Sequence, residues 1–564
     1  MSTANEAYEV SDITSRLVTF SGPNGRRIVG YLDEGVEALW NERVVVLAPR
    51  YGETKKNNLK LSYLFAANGF KVLRFDQTNH IGESDGSMDQ YTLINVTNDI
   101  QSVVDHVDRF FEPTEIILMT LSLSARCGLR ACALDPRISR HVSLVGMVNM
   151  DRTLKAIYNR DFFGELAAGA QWSLVDILGF EIDGARFYQS LLETNMLNLE
   201  GALADADQVT IPALHICAEN DRWVEQAEVE AVMLRCKFGR VEVVKNVGHE
   251  INENPEALNL AFGSMLAFCR SGLDEKHITN CVPSKATLLA QNKLERTQLK
   301  AVLQFTQKEP EFWGEYLGKF GIIESAAYYS EYFQTVSSLL GAIESYDVIV
   351  DAGCGNGFYG VCVLRALLQS IQAQHSVPNS VHYCGIDLTS EGLLRSYSRH
   401  AQELISLQRE AMQAQGTVGF SYRKIDFDTI GKVEAATLPF ADASVHKICS
   451  SLVLSYLQEP EHLMRECYRV LQADGVAVFS TMKPGCDMTV LYHDYVTQDT
   501  KVHAEKDAAD LLSAAGRIKL KKDAGVYAFF DFEELEYLAR KAGFSKVNCV
   551  RSFGGQANVI RVVK

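Results

Sequence analysis

The segment 348–358 places the strongest local constraints on how this chain can fold. An apolar, β-branched run ends at Asp351, and glycines then occupy the alternate positions 353, 355 and 357. An apolar pattern of helical period follows, so the stretch predicts a strand, a tight turn and the start of a helix. Glycines let a ligand approach the backbone, and the free N–H groups at a helix start favour a polar or anionic group. The segment therefore predicts a ligand-binding loop in an α/β sheet.

The glycine spacing in this loop separates two kinds of binding site. It reads G-x-G-x-G, whereas a dinucleotide fingerprint requires G-x-G-x-x-G, and Phe358 stands where the third glycine of that fingerprint is needed. An NAD-dependent oxidoreductase is therefore disfavoured. A Gly-rich loop of some other α/β protein is the structural alternative.

The run D-A-G-C-G-N-G resembles motif I of class I S-adenosylmethionine-dependent methyltransferases, and segments over residues 336–564 agree with that family in order. The resemblance implies S-adenosylmethionine as the cofactor. It implies that Asp351 supports the loop and the amino-acid end of the cofactor. The cofactor wall is then formed by Gly353, Cys354, Gly355 and Gly357.

Later segments extend the same resemblance. Asp387, followed by Leu388, ends the next predicted strand and is placed to hold the ribose hydroxyls, a device that dinucleotide folds share. The stretch 434–442 resembles the D-A-x-x-L-P-F segment of small-molecule methyltransferases, whose acid accepts from the adenine amino group. Glu434 stands at that acid's position, Asp426 and Asp428 are rivals for the role, and Ser450 opens the next matching segment.

The methyl acceptor is less defined by the sequence. Methyl transfer from a sulfonium mainly requires alignment and exclusion of water, so the lack of an obvious catalytic base is compatible with it. Aromatic residues ahead of the glycine loop contact an acceptor or pack helices onto the sheet, and the insert 482–526 is a candidate lid. The candidate acceptor contacts are Tyr328, Tyr329, Tyr332, Tyr456, Tyr492 and His493.

The first half of the chain alternates short buried-type strands with helices, which predicts a mostly parallel, doubly wound sheet. Ser122 lies on a predicted strand-to-helix turn, where its hydroxyl would be exposed and the Leu123 N–H would face an oxyanion. A serine here also serves as a helix cap. The usual elbow is G-x-S-x-G, but Thr120 and Ser124 occupy its glycine positions.

Two downstream residues complete a hydrolytic pattern. Asp221 and His249 each follow a predicted strand, and the chain order Ser, Asp, His is that of α/β-hydrolases. In that arrangement His249 takes the proton of Ser122, while Asp221 fixes the imidazole tautomer. The alternatives are a turn acid and a loop histidine that caps a helix.

Four segments, 47–84, 122–126, 145–149 and 218–224, resemble the bacterial luminescence acyl transferases, which act as myristoyl-carrier-protein thioesterases. The likeness runs over about residues 14–270, and that family also lacks the elbow glycines. It implies an α/β-hydrolase fold with Ser122 as nucleophile, Asp221 as acid partner and His249 as base. It also implies an acyl-carrier protein or acyl thioester as partner, and residues 151–208 as a lid. Our candidate oxyanion donors are the N–H groups of Gly52 and Leu123.

Length and composition bound the remaining possibilities. The 564 residues divide into an α/β-hydrolase domain at 1–272, a linker and helical segment at 273–335, and a Rossmann-like methyltransferase domain at 336–564. The net charge of −16 argues against a nucleic-acid partner. No apolar run reaches about 18 residues, so no membrane span is predicted. The 13 cysteines form no C-x-x-C pair, which predicts no metal site and, without a signal peptide, reduced thiols in the cytoplasm.

These patterns together predict a bifunctional enzyme. One domain transfers or hydrolyses an acyl group, and the other methylates a small molecule, with a carboxylate as a candidate acceptor. Fatty-acid or polyketide-type secondary metabolism is the setting inferred from the pairing. The alternative is a methyltransferase whose hydrolase-like domain only binds a carrier-tethered intermediate.

Overall fold

The computed structural model describes residues 8–170, 173–303, 309–319, 324, 326–372, 380–410, 418–431, 437–487 and 502–564. The chain forms two compact units. The first holds Met1–Gln304 together with Leu512–Ala524, and the second holds Phe305–Leu511 together with Gly525–Lys564. Among the described residues, no helix is both long enough and apolar enough to cross a membrane.

The first unit contains twelve described strands. They are β1 (Tyr8–Val10), β2 (Thr14–Ser21), β3 (Arg27–Glu34), β4 (Arg43–Ala48), β5 (Lys71–Phe75), β6 (Glu115–Leu121), β7 (Ile138–Leu144), β8 (Val175–Ile177), β9 (Phe180–Ile182), β10 (Pro212–Ala218), β11 (Phe238–Val244) and β12 (Cys281–Pro283).

Eight of these strands form one sheet in the order β11-β10-β7-β6-β4-β5-β3-β2. The strands from β11 to β5 run parallel, while β3 is antiparallel to both β5 and β2. Every residue of β4 is buried, as expected for a short apolar run covered on both faces. The predicted doubly wound sheet is confirmed, and the carboxyl ends of its parallel strands meet at one edge.

The helices of the first unit cover this sheet. They are α1 (Leu59–Ala67), α2 (Leu93–Phe111), α3 (Ser124–Leu134), α4 (Met150–Tyr158), α5 (Phe162–Ala167), α6 (Gly184–Glu193), α7 (Leu199–Ala206), α8 (Gln226–Arg235), α9 (Pro255–Arg270) and α10 (Lys285–Val302). In α2, Val96, Ile100, Val103 and Val107 recur at helical spacing and are buried. The Thr92 side chain caps its start by accepting from the Asn95 N–H.

The first unit continues past residue 272, where the sequence prediction began a linker. Strand β12 pairs in parallel with β1, and α10 carries Glu295, whose carboxylate bonds the fully buried Arg74 guanidinium at 2.6 and 2.8 Å. A buried cation requires such partners. An ion pair between residues this far apart in sequence cannot be predicted from local composition. The sequence of residues 285–302 therefore does not indicate that they belong to the first unit.

The second unit has its own strands and helices. They are α11 (Glu309–Lys319), α12 (Ala327–Leu340), β13 (Val348–Ala352), α13 (Phe358–Gln372), β14 (Val381–Asp387), α14 (Ser390–Glu410), β15 (Val418–Lys424), β16 (Val445–Ser450), α15 (Pro460–Val470), β17 (Leu471–Met482), α17 (Phe532–Ala542), β18 (Lys546–Ser552) and β19 (Ala557–Val563). Helix α16 (Val502–Asp523) precedes α17, and its residues from 512 onward belong to the first unit.

Seven strands of the second unit form a sheet in the order β15-β14-β13-β16-β17-β19-β18. The first five run parallel, and β19 is antiparallel to both β17 and β18. The second doubly wound sheet and its closing antiparallel hairpin are thus confirmed. Because β13 lies at the centre, with β14 on one side and β16 on the other, the loop after β13 opens at the point where strand order reverses, which is where open α/β sheets bind ligands.

Candidate active sites

Ser122 occupies a strained turn between β6 and α3. Its φ is +50°, a left-handed value that is uncommon for a residue other than glycine. The Ser122 N–H donates to the Leu144 carbonyl at 3.0 Å, and the Ser124 hydroxyl accepts from the Leu121 N–H at 2.9 Å. The second serine therefore fastens the turn by a side-chain hydrogen bond at a position where G-x-S-x-G elbows have glycine.

Ser122, His249 and Asp221 form one continuous hydrogen-bonded chain. The Ser122 hydroxyl lies 2.8 Å from His249 Nε2, and His249 Nδ1 lies 2.8 Å from Asp221 Oδ2. The other Asp221 oxygen accepts from the N–H groups of Trp223 and Val224 at 2.8 and 3.1 Å. The Trp223 ring stacks on the imidazole with centroids 4.3 Å apart. This geometry is that of a nucleophile, a base and an orienting acid.

The two predicted oxyanion donors differ in this structure. The Leu123 N–H precedes α3 and donates to no acceptor among the described residues. The Gly52 N–H instead donates to His80 Nε2 at 3.0 Å. Burial lowers the pKa of His80 to about 4, so its imidazole is neutral and able to accept. His80 was missed in the sequence analysis, although it lies in the segment 47–84 that carried the family likeness.

In the second unit, the three alternating glycines all adopt positive φ, at +90°, +48° and +77° for Gly353, Gly355 and Gly357. A Cβ on Gly353 would lie 2.0 Å from the Val453 side chain, and one on Gly357 would lie 2.7 Å from the Ser396 Cα. Glycine is therefore needed both for the backbone conformation and for space. The His400 Nε2 further fixes this loop by donating to the Gly357 carbonyl at 2.7 Å.

Two acids from the predicted cofactor site, Asp351 and Asp387, lie beside the glycine loop. Asp387 Oδ2 accepts from the Gly355 N–H at 2.9 Å, and its Oδ1 accepts from the N–H and hydroxyl of Thr389 at 2.8 and 2.7 Å. Leu388 lies between these two residues and is half-buried. The Tyr383 hydroxyl donates to Asp351 at 2.6 Å, and burial raises the pKa of Asp351 to about 7.

Ser450 ends β16, the strand that pairs with β13 on the side opposite β14. Its hydroxyl is buried and has no hydrogen-bond partner within the described parts of the chain.

Cys354, in the loop, is buried beside the Ser396 hydroxyl. Asp426 uses its side chain to cap a short turn by accepting from the Asp428 N–H at 2.9 Å. Glu434 lies outside the described residues.

The predicted acceptor contacts are mostly packed aromatics. Tyr328, Tyr329 and Tyr332 are buried on α12, and the Tyr332 hydroxyl bonds the hydroxyls of Ser451 and Ser480 at 2.7 and 2.6 Å. Tyr456 is half-buried, with its ring 4.4 Å from that of Trp313. Tyr492 and His493 fall outside the described residues.

Trp313, on α11, was not among the sequence candidates. Leu317, one turn further along that helix, lies 3.3 Å from where a Cβ on Gly355 would be. Because residues four apart share a helix face, Trp313 lies on the same face of α11 as Leu317, and its ring contacts that of Tyr456. The spacing of an aromatic residue along a helix does not indicate which loop the helix packs against. The sequence therefore could not identify Trp313 as a candidate acceptor contact.

Comparison with known proteins finds a different family in each half of the chain. Residues 39–278 match a family described as acyl transferase, and residues 350–479 match a family described as methyltransferase domain. The acyl transferase of Photobacterium phosphoreum is 26% identical over 212 residues, 37% of this chain and 69% of that protein. The acyl transferase of Vibrio harveyi is 25% identical over 217 residues, 38% of this chain and 70% of that protein.

Among solved structures, the α/β hydrolase GrgF from Penicillium is 15% identical, with a TM-score of 0.37 over 46% of this chain and 99% of that one. The two family matches fall on the two halves that carry the two sites described above. The chain thus joins an acyl transferase domain to a methyltransferase domain, the organisation of a bifunctional enzyme.

Proposed function

We propose that the first domain takes an acyl group from a carrier-bound thioester onto Ser122 and releases it to water or another acceptor. The observation that carries this proposal is the unbroken chain from Asp221 through His249 to Ser122, with both links at 2.8 Å. A serine hydroxyl attacks a thioester only when a base removes its proton, and His249 Nε2 is at hydrogen-bond distance.

In the first half-reaction, the Ser122 oxygen bonds to the acyl carbon while its proton passes to His249. The carbon–sulfur bond then breaks, and the leaving thiolate takes that proton. Asp221 stabilises the imidazolium that exists between these steps. Water or another acceptor then attacks the acyl carbon of the acyl-serine and gives its proton to His249. The bond between that carbon and the Ser122 oxygen breaks, and Ser122 takes the proton back. The open Leu123 N–H supports oxyanion stabilisation, whereas Gly52 can contribute only if its N–H leaves His80.

We further propose that the second domain methylates a small molecule with S-adenosylmethionine. The residues present fit that cofactor: the glycine loop is a cradle that a Cβ would fill, and the Ser450 hydroxyl is buried without a partner in the described chain. The glycine loop and Asp387 would hold it, with Asp387 toward the ribose hydroxyls. When bound, S-adenosylmethionine supplies an electrophilic methyl group. The protein's own part is to align the acceptor and exclude water.

The two activities are compatible with a coupled route in fatty-acid or polyketide-type metabolism. The first domain releases an acid from its carrier, and the second esterifies the carboxylate. A carboxylate is already a nucleophile at neutral pH, so the acceptor would need no strong base. This order of reactions rests on the fusion of the two domains.

Incubation of the protein with S-adenosylmethionine and a panel of acyl-carrier thioesters tests both proposals, with products identified by mass spectrometry. We expect a free acid and its methyl ester, both lost in Ser122→Ala. A serine-directed fluorophosphonate should label the wild-type protein and not the variant. Absence of labelling and of acid release would overturn the acyl-transfer proposal and favour a domain that only binds the carrier-tethered intermediate.

A further inference from the structure

A two-stranded hairpin of the lid segment lies on the loop that carries Gly52. Strands β8 and β9 pair antiparallel, joined by Leu178 and Gly179. The Phe180 ring, at the start of β9, lies 3.0 Å from the position of a Cβ on Gly52 and meets the Tyr51 ring edge-on with centroids 5.9 Å apart. The hairpin therefore closes over the loop from which an oxyanion donor was predicted.

The tip of this hairpin is held by residues from near the end of the chain, in the part of α16 that belongs to the first unit. A Cβ on Gly516 would lie 1.9 Å from the Leu178 carbonyl oxygen, and a Cβ on Gly179 would lie 2.7 Å from the Ser513 carbonyl oxygen. Two backbones are thus in direct contact at a pair of glycines. The Ser513 hydroxyl donates to Asp176 at 2.6 Å, while the other Asp176 oxygen caps the Gly179 N–H at 2.9 Å.

The same stretch of α16 also reaches the charged groups beside the triad. Lys519 Nζ lies 3.3 Å from Glu53 Oε1 and 3.6 Å from Glu250 Oε1, and Glu250 directly follows His249. At the end of the helix, Asp523 accepts from the Asn57 side-chain amide at 2.7 Å. Residues 512–524 therefore contact the lid hairpin through Ser513 and Gly516, and they contact the loops around the proposed catalytic residues through Lys519 and Asp523.

We propose that residues 512–524 are a latch of the acyl-transfer site, holding the hairpin and its Phe180 against the Tyr51–Gly52 loop so that a bound acyl chain is enclosed. The effect on turnover rests on the proposed acyl-transfer function, whereas the latch itself does not. The chain enters this segment from the second unit and returns to that unit after residue 524. The acyl-transfer site is consequently completed by a segment that lies beyond the methyltransferase family match in sequence.

Gly516→Ala in the full chain tests the latch sharply. Alanine is the better helix former, so the helix itself is not weakened, but its Cβ collides with the hairpin backbone. Gly263→Ala is the matched control, because Gly263 is an exposed position within α9 with no atom within 4 Å of an added Cβ. Ser513→Ala is a milder second variant that removes only the hydrogen bond to Asp176.

Two measurements are made on each variant: amide hydrogen exchange of residues 175–182, and kcat/KM for long-chain and short-chain acyl thioesters. We expect Gly516→Ala to speed hairpin exchange by about 10-fold or more and to lower kcat/KM for the long chain by about 10-fold. Ser513→Ala should shift both in the same direction by less. In both variants, kcat/KM for short-chain thioesters and the rate of methyl transfer should equal those of Gly263→Ala.

Hairpin exchange in Gly516→Ala equal to that in Gly263→Ala would overturn the proposal. An equal loss for long and short chains, accompanied by a lower melting temperature, would also overturn it, because that is general destabilisation. If the wild-type protein neither releases acid nor reacts with fluorophosphonate, the acyl-transfer function fails, and the exchange data alone decide whether the latch exists.

Discussion

Arg50 Nη1 lies 3.1 Å from Glu250 Oε1, and Arg50 Nε lies 2.8 Å from Glu53 Oε1. Arg50 lies in the loop that carries Gly52, and Glu250 directly follows His249. The guanidinium therefore connects these two parts of the site. Its side chain is only 8% exposed, so these bonds form in a medium where charge pairing is strong and an unpaired charge is costly. The Arg50–Gly52 loop and the residue after His249 are thus fixed relative to one another by a buried ion pair.

Arg50→Met should lower both stability and turnover. It leaves two largely buried carboxylates short of a partner, and removal of one member of a buried pair costs about 3–5 kcal/mol. We expect kcat for acyl transfer to fall by about 10-fold as the two loops lose their common anchor. Arg50→Lys should recover only part of this loss, because an ammonium does not reproduce the guanidinium fork.

Urea unfolding and steady-state kinetics check this prediction. The matched control is Arg152→Met, since Arg152 pairs with Glu225 at the surface, with the two side chains 53% and 45% exposed. Such pairs contribute about 0–1 kcal/mol. An Arg50→Met protein with unchanged kcat would show that the two loops keep their places without the guanidinium.

Asp221→Asn should disable acyl transfer while leaving the fold intact. An asparagine can still accept from the N–H groups of Trp223 and Val224, but it does not stabilise an imidazolium and favours the wrong tautomer of His249. We expect the rate of fluorophosphonate labelling and kcat for thioesters to fall by about 10⁴-fold. Retention of more than a tenth of wild-type activity would mean that another group orients His249.

The proximity of the three triad residues could be predicted from the sequence, because each of them has the same position relative to a strand. Each of Ser122, Asp221 and His249 follows a strand of the same parallel sheet, and parallel strands of one sheet present their carboxyl ends at the same edge. The glycine loop followed from the same logic, since its G-x-G-x-G spacing and the strand before it are contiguous in sequence. The structure brings both sets together on the sheets that the strand pattern predicted.

What the sequence did not reveal depends on partners that are distant along the chain. The helix at 285–302 joins the first unit through Glu295 and Arg74, 221 residues apart. The hydrogen bond from Gly52 to His80 is set by how β4 and β5 end, and no spacing rule encodes it. The docking of Gly516 on Gly179 likewise depends on the shape of two backbones, which is invisible in residue composition.

Asp387→Asn should weaken S-adenosylmethionine binding more than it weakens the fold. Hydrogen bonds to a charged group are worth about 1.5–3 kcal/mol, so loss of the carboxylate charge should raise Kd by about 10- to 100-fold. Asp442→Asn is the control, because Asp442 is 80% exposed in the same unit. Isothermal titration calorimetry measures both. Equal affinities of the two variants for S-adenosylmethionine would show that Asp387 does not bind the cofactor.

Glu295→Ala should destabilise the first unit although it lies outside the predicted domain. Arg74 and Asp33 are fully buried and Glu295 nearly so, and loss of one carboxylate leaves Arg74 with half of its charge partners. We expect the free energy of unfolding to fall by about 3–5 kcal/mol. The control Asp207→Ala, which breaks an exposed pair with Arg235, should cost less than about 1 kcal/mol. Comparable urea midpoints for the two variants would show that α10 is dispensable to the unit.

Acid should destabilise the first unit through two histidines buried behind the Ser122 turn. Burial lowers the pKa of His141 to about 4 and that of His215 to about 3. His141 Nε2 bonds the Thr120 hydroxyl at 2.9 Å, and His215 Nε2 accepts from the Gly146 N–H at 3.2 Å, a role open only to an unprotonated nitrogen. Both imidazoles are therefore held neutral in the folded protein.

In the unfolded chain these histidines take up protons near pH 6.5. Between about pH 6.5 and pH 4 the unfolded state thus binds more protons than the folded state, and stability falls as the pH falls through that window. We expect the melting temperature of the first unit to drop across it. His215→Gln should flatten the slope, because glutamine can still accept from Gly146 and does not titrate. His277→Gln is the matched histidine-to-glutamine control, because His277 is half-buried at the end of the turn Glu275–His277 in the same unit. A His215→Gln slope equal to that of the wild type would assign the acid sensitivity to other groups.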